Sequence, residues 1–216
     1  MICLNYYDVV IFDCDGVIFD SNLLKVDAMK NALQGYSDVE IKRCVEYFSN
    51  NFGKSRYHHV EYFVKNIVSN ASMVKDYDLI LTKYSKQCFD LYLSADFTEG
   101  VEELIMTPSC IKYVASGSDE KELNRVFESR GLTKYFAEVL GSPVAKQDNV
   151  KRIISLHPDK KFLMIGDARS DWQAAVNNEI DFLFVSEYTT VSDEVNGLLK
   201  ASSDYCVSTL KEVSFK

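Results

Sequence analysis

The chain has few of the residues that break regular structure or cross-link a protein. Only three of its 216 residues are proline and nine are glycine, and they form no linker or low-complexity tract. Its six cysteines are spread along the chain without a Cys-x-x-Cys pair. This spacing argues against a zinc site and a disulfide framework, and it indicates reduced thiols.

Long apolar runs and surplus positive charge are also missing. No run of about 18 apolar residues occurs, so no membrane-spanning helix is expected. Residues 1–10 contain neither a basic leader nor a small-residue cleavage site, which predicts no signal peptide and a cytoplasmic location. The net charge of −8 leaves no excess of Lys and Arg to neutralise many phosphates. Nucleic-acid and membrane partners are therefore not expected, whereas one small phosphorylated ligand needs only a local cluster of cations.

The sequence contains short apolar runs with the length and composition of buried β-strands. Amphipathic stretches separate the later runs, and strand alternating with helix predicts an α/β fold with a parallel sheet covered on both faces. Asn178, near the end of one such stretch, is expected in a left-handed conformation. The predicted strands are residues 6–12, 111–116, 136–141, 161–166 and 181–186.

A long segment without convincing strands separates the first two predicted strands. Within it, Leu23, Leu24, Met29 and Leu33 recur with helical spacing, and further amphipathic stretches follow. The pattern predicts a helical insertion that interrupts an α/β domain. The expected division is a catalytic core of residues 1–19 and 95–216 with a helical domain of residues 20–94.

Polar residues follow four of the predicted strands. In open parallel sheets, ligands bind at the carboxyl ends of the strands, so these residues are expected at one edge of the sheet. They are Asp13 and Asp15 after the first strand, Ser116 and Gly117 after the second, Lys146 after the third, and Asp167 and Asp171 after the fourth.

The types of these residues indicate phosphoryl chemistry. Clustered carboxylates repel one another unless a cation lies among them, and oxygen ligands suit a hard ion such as Mg²⁺. A carboxylate beside Mg²⁺ can attack phosphorus to form an aspartyl-phosphate. A second carboxylic acid would then protonate the leaving alkoxide and later activate water.

These segments, in this order, resemble the four motifs of the haloacid dehalogenase superfamily. The segments are Asp-Cys-Asp-Gly-Val-Ile from position 13, Ser-Gly-Ser from 116, Lys146, and Gly-Asp-Ala-Arg-Ser-Asp from 166. The resemblance implies a Rossmann-like doubly wound core and bound Mg²⁺. It also implies Asp13 as the nucleophile, Asp15 as the general acid and base, Ser116, Gly117 and Lys146 at the phosphate, and Asp13, Asp15 (through its carbonyl), Asp167 and Asp171 at or near the metal.

The insertion resembles the helical cap of the phosphoglycolate phosphatase and β-phosphoglucomutase branch. Residues 52–64, FGKSRYHHVEYFV, are similar to the substrate loop of the mutase. That similarity suggests that Arg56 contacts the substrate, where a guanidinium suits a second phosphate or a carboxylate. The alternative for Arg56 is a solvated residue at a helix start. His58 and His59 are expected to pack, because adjacent helical residues point apart.

The sequence thus predicts a Mg²⁺-dependent phosphatase that hydrolyses a small phosphomonoester, such as a sugar phosphate or phosphoglycolate, through an aspartyl-phosphate. Two alternatives stay open: a sugar phosphomutase on the same scaffold, and a catalytically silent binding or regulatory module. A dehalogenase is disfavoured, because it would need neither Asp15 nor a magnesium site. The sequence indicates neither the particular substrate nor the oligomeric state.

Overall fold

A six-stranded parallel sheet lies at the centre of the computed structural model, which describes residues 2–69 and 76–215. A separate short parallel pair joins β1 (Ile2–Cys3) to β8 (Val213–Ser214). The strands of the main sheet are β2 (Val9–Phe12), β3 (Ile111–Asp119), β4 (Glu138–Ser142), β5 (Phe162–Gly166), β6 (Asp181–Val185) and β7 (Tyr205–Val207). Their order is β4-β3-β2-β5-β6-β7, which places β2 in the interior of the sheet, between β3 and β5.

Nine α-helices are found in the described residues. The first five lie between β2 and β3 in the chain, and the other four each follow one of the strands β3 to β6. They are α1 (Asn22–Ala32), α2 (Asp38–Ser49), α3 (Arg56–Tyr62), α4 (Tyr77–Ser94), α5 (Val101–Met106), α6 (Glu120–Ser129), α7 (Lys146–Leu156), α8 (Arg169–Asn177) and α9 (Asp193–Ser202). None is long and apolar enough to cross a bilayer within the part of the chain that the structure describes.

Both faces of the sheet are covered, as the apolar strands predict. All four residues of β2 are buried. Val10 and Phe12 pack on one side with α5 and α6, whereas Val9 and Ile11 pack on the other with α7, α8 and α9. Alternate residues of a strand point to opposite faces, so an apolar strand requires cover on both. The predicted α/β fold with a parallel sheet is confirmed.

Helices α1 to α4 have an apolar cluster of their own. Met29, Phe48, Phe63 and Tyr84 are among its buried members, and Ala168 from the loop after β5 packs with them. The described residues between 22 and 94 contain helices and turns but no strand of the main sheet. This agrees with a helical insertion, while the domain limits at residues 19/20 and 94/95 stay predictions.

One local expectation was wrong, and α1 exposes two of the leucines that have helical spacing. Asn178 has φ −111°, and the left-handed residue is its neighbour Glu179 with φ 55°. In α1, Met29 is buried, but Leu23 is 69% exposed and Leu24 is 43% exposed. The reason is that α1 turns the polar residues Asn22 and Lys25 inward, toward the edge of the sheet where the candidate site lies.

Candidate active site

The candidate site begins where β2 ends. The amide of Asp13 still donates to the carbonyl of Ile165 at 2.9 Å, so Asp13 leaves the sheet in a fixed position. Gly16 follows in a left-handed conformation with φ 73°. A Cβ there would overlap the side chains of Asn22 and Asp167, so only glycine allows this loop to pass so close to them.

Three buried carboxylates, from Asp13, Asp167 and Asp171, form what we call the carboxylate cluster. One oxygen from each lies within 4.8 Å of the others. Nζ of Lys146 lies 2.8 Å from Asp13 Oδ1 and forms an ion pair with Asp171 Oδ1. The other oxygen of Asp171 accepts the amide of Ala168 at 2.9 Å, so this residue both caps α8 and adjoins the cluster.

The carboxylate cluster holds more negative charge than Lys146 offsets. Burial, followed by repulsion from Asp171, raises the pKa of Asp13 to about 7 despite the attraction of Lys146. Burial, followed by repulsion from Asp171 and Asp13, raises the pKa of Asp167 well above its usual range. Within the described part of the chain, Asp13 Oδ1 also has no aligned hydrogen-bond donor. A set of buried carboxylate oxygens with unbalanced charge fits a hard divalent cation.

Asp15 lies in the opposite environment, surrounded by donors. Its Oδ1 accepts from Ser21 Oγ at 2.6 Å and from Tyr92 Oη at 2.7 Å. Its Oδ2 accepts from Lys25 Nζ at 2.7 Å and from Ser118 Oγ at 3.1 Å. Burial alone would raise the pKa of Asp15, but the charge and hydrogen bond of Lys25, with those of the hydroxyls, lower it overall. Asp15 is therefore held as a carboxylate in this arrangement.

The loop expected to bind phosphate lies at a break in the β3–β4 pairing. The register shifts between Ala115 and Asp119, so the chain departs from the ladder around residues 116–118. Ser116 is buried, and its hydroxyl accepts the amide of Ser118 at 3.1 Å. A Cβ on Gly117 would overlap the carbonyl of Gly53 in the helical segment, so glycine permits this close approach.

A cleft of about 330 Å³ joins these parts. Gly117 and Lys146 line it from the sheet edge, and Gly53 and Lys54 line it from the helical segment. Ser170 Oγ also donates to the carbonyl of Phe52 at 3.0 Å. The segment that contains the predicted substrate loop thus lies directly over the sheet edge that carries the acids.

Arg56 lies near the site, but its guanidinium has protein partners. Nη2 donates to Glu122 Oε1 at 2.6 Å, and Nη1 donates to Glu122 Oε2 at 3.0 Å and to Ser85 Oγ at 2.6 Å. It is not the solvated residue of the alternative, since it is only 5% exposed. Among the residues that the structure describes, its Nε has no hydrogen-bond partner. The structure therefore shows an ion pair between α3 and α6, and substrate contact by Arg56 stays a prediction.

The adjacent histidines have packing roles, as expected. His58 Nε2 lies 2.8 Å from the hydroxyl of Tyr47. His59 is buried beside Phe48, and burial, followed by the nearby positive charges, lowers its pKa to about 3. Cys14, between the two aspartates, is fully buried and packs in the apolar core.

The sequence analysis did not identify several residues of the site. Asn22 donates to Asp167 Oδ2 at 2.7 Å, and Thr189 donates to the carbonyl of Asp167 at 2.6 Å. Lys25 and Tyr92 bond Asp15, as described above. The available signal was in α1, where polar residues at positions 22 and 25 share a face three residues apart while the leucines between them point outward.

The profile of the haloacid dehalogenase-like hydrolase family matches residues 10–185. The chain belongs to this family. It is therefore a hydrolase of the haloacid dehalogenase type, and the resemblance seen in its four motifs is confirmed. No curated protein sequence gives a significant match.

Solved structures of other proteins share the fold along nearly the whole chain. A predicted phosphatase from Clostridium acetobutylicum is 20% identical, with a TM-score of 0.72 and 95% of each chain covered. A predicted phosphoglycolate phosphatase from Haemophilus somnus is 14% identical, with a TM-score of 0.75 and 97% of each chain covered. A hydrolase of this family from Bacillus subtilis, bound to magnesium, is 15% identical, with a TM-score of 0.68 and 95% and 96% covered.

Proposed function

We propose that the protein is a Mg²⁺-dependent phosphatase that hydrolyses a small-metabolite phosphomonoester through an aspartyl-phosphate on Asp13. One observation carries the proposal. Two buried aspartates, Asp13 and Asp15, leave the same strand, one within a carboxylate cluster and the other among hydrogen-bond donors. The proposed mechanism needs two aspartates in different surroundings: a nucleophile beside a metal, and a separate residue that serves as acid and base.

The carboxylate cluster fits magnesium by its donors and by its excess negative charge. Asp13, Asp167 and the backbone carbonyl of Asp15 would hold the ion, with Asp171 close by. A bound Mg²⁺ supplies positive charge that neutralises the cluster and polarises the phosphoryl oxygens.

In the first step, a carboxylate oxygen of Asp13 attacks phosphorus. The bond from phosphorus to the leaving oxygen breaks, and Asp15 in its acid form gives that oxygen a proton. The Ser116 hydroxyl, the Gly117 amide and the Lys146 ammonium bind the phosphoryl oxygens as charge is redistributed.

In the second step, water attacks the phosphorus of the aspartyl-phosphate. Asp15 accepts a proton from this water, the bond from phosphorus to Asp13 breaks, and phosphate leaves. The arrangement of Asp15 in the structure, with its pKa lowered beside Lys25, suits this second role.

The substrate class follows from the proposed cap, residues 20–94, over a core of residues 1–19 and 95–216. Contact between Gly53 and Gly117 and the bond from Ser170 to the Phe52 carbonyl support a cap that encloses the site. Enclosure excludes bulk water and large macromolecules, which favours a small cytoplasmic metabolite over nucleic acid or membrane partners.

The alternatives have less support. The mutase hypothesis depended on the loop of Arg56, whose terminal nitrogens are bonded to Glu122 and Ser85. A silent module would not require the set of acids at Asp13, Asp15 and Asp167, all of which are present and buried.

A screen of phosphorylated metabolites with phosphate detection tests the proposal. We expect Mg²⁺-dependent phosphate release from one class of sugar phosphates or from phosphoglycolate, abolished by EDTA and by Asp13→Asn. Full activity in excess EDTA would rule out the magnesium assignment. Release that persists in Asp13→Asn would rule out the aspartyl-phosphate.

A further inference from the structure

The donors that surround Asp15 come from two parts of the molecule. Lys25 lies on α1 and Tyr92 on α4, both in the helical segment, whereas Ser118 lies on β3. We infer that Lys25 and Tyr92 are positioning residues that fix the orientation of the Asp15 carboxyl group. This inference rests on the proposed function, in which Asp15 transfers protons.

The contacts around Asp15 form a closed network. Lys25 Nζ donates to Asp15 Oδ2 at 2.7 Å, to Tyr92 Oη at 3.0 Å and to Ser118 Oγ at 2.6 Å. Tyr92 Oη contacts both Asp15 oxygens, at 2.7 and 2.9 Å. Lys25 is 6% exposed and Tyr92 is fully buried. Each ammonium hydrogen therefore has a partner inside the protein, and each partner restricts the others.

Burying the Lys25–Asp15 ion pair costs desolvation free energy, so it is an inefficient way to pack α1 against the sheet. A buried ion pair commonly stabilises a fold no better than apolar residues of similar volume. The inner face of α1 could carry leucine, yet it places Lys25 inward and Leu23 and Leu24 outward. The arrangement is better explained by what Lys25 does to Asp15 than by stability.

Orientation matters at Asp15 because this residue lines a small, partly enclosed cavity. The cavity has about 20 Å³, room for a single water molecule, and it is lined by Asp15, Lys25, Gly117 and Ser118. The terminal torsion of an aspartate is soft, so a carboxyl group without fixed donors rotates broadly. Proton transfer requires the correct geometry, and a small misplacement lowers the rate strongly.

Both positioning residues belong to the helical segment, whereas Asp15 follows β2 of the sheet. Tyr92 is 77 positions away from Asp15 in the sequence, so the orientation of this carboxyl group depends on tertiary contacts between the helical segment and the sheet edge.

The test compares kcat/KM for an alkyl phosphate, which needs a proton at its leaving oxygen, with kcat/KM for an activated aryl phosphate, which does not. The variants are Lys25→Met and Tyr92→Phe. The alkyl-to-aryl ratio should fall about ten-fold in each, because each variant removes a hydrogen bond to the Asp15 carboxylate. Tyr57→Phe is the matched control, because it removes only the 2.9 Å bond from Tyr57 to Asp119; its ratio should equal that of the wild type.

Equal losses on both substrates in Lys25→Met and Tyr92→Phe would show a purely structural role and overturn the inference. Unchanged values in both variants would overturn it as well. If Lys25→Met does not fold, Tyr92→Phe decides, because it removes one hydroxyl and keeps the ring. A wild type that hydrolyses neither phosphate would refute the proposed function itself, a result distinct from a failure of the positioning role.

Discussion

Asp13 and Asp15 are two residues apart on one loop and both are buried, yet their surroundings are opposite. Asp13 has carboxylates as neighbours and one lysine, and its pKa is raised, by burial first. Asp15 has an ammonium and three hydroxyls as neighbours, and its pKa is lowered. Sequence position alone therefore does not assign chemistry to an aspartate here; the surrounding elements do.

One loop supplies two chemical functions because its two aspartates contact different elements of the fold. The neighbours of Asp13 come from the sheet edge: Asp167 follows β5, Asp171 lies on α8 and Lys146 lies on α7. Two of the main donors to Asp15 come instead from helices α1 and α4. Pairs of titratable groups whose environments differ are typical of sites that divide nucleophile from acid and base.

Replacing the nucleophile should have the largest effect. Asp13→Asn keeps the shape of the side chain but removes the attacking oxygen, so kcat/KM should fall at least about 1,000-fold for alkyl and aryl phosphates alike. Steady-state phosphate release measures both. A loss on one substrate only would place Asp13 outside the attacking role.

Asp15→Asn should instead distinguish the substrates. General acid catalysis contributes about 100- to 10,000-fold, so kcat/KM for the alkyl phosphate should fall within that range. The aryl phosphate should change much less, because its leaving group departs without a proton. Equal losses on the two substrates would remove the distinction between the aspartates.

Arg56 provides a buried ion pair that contacts neither aspartate. Arg56→Ala leaves the carboxylate of Glu122 without its partner, so the free energy of unfolding should fall by about 3–5 kcal/mol. Urea unfolding measures this, and the double variant Arg56→Met/Glu122→Met should recover much of the loss. If Arg56→Ala is as stable as the wild type but binds substrate more weakly, the result would support the substrate contact that the sequence predicts for Arg56.

The gain in stability on binding Mg²⁺ should depend on the side chain of Asp167 and not on that of Asp15. At about 100 times its Kd, the ion should add about 2.7 kcal/mol to the stability of the wild type, which corresponds to a rise in Tm of about 5–11 °C. Asp15→Asn should keep this rise, because it retains the backbone carbonyl, whereas Asp167→Asn should lose most of it. Thermal unfolding with Mg²⁺ and with EDTA measures the shift, and an equal rise in both variants would contradict the assignment.

The residues at the sheet edge could be predicted because each is recognised from its own short stretch of sequence. Asp13, Lys146 and Asp167 each follow an apolar run, and the carboxyl ends of parallel strands meet at one edge. Lys25 and Tyr92 could not be assigned in this way, since a polar residue in a helix gives no sign of its partner. Strand β7 was not predicted either, because it has only three residues and only Val207 among them is buried, which leaves no apolar pattern to recognise.

The aspartyl-phosphate on Asp13 is the central claim, and trapping it is the most direct test. In Asp15→Asn the first step on an aryl phosphate needs no acid, whereas hydrolysis of the intermediate lacks its base, so the covalent form should accumulate. Acid quenching followed by peptide mass spectrometry should find one phosphoryl group on Asp13. A burst of aryl product with no phosphoryl group on the chain, or with the group on another residue, would contradict the account.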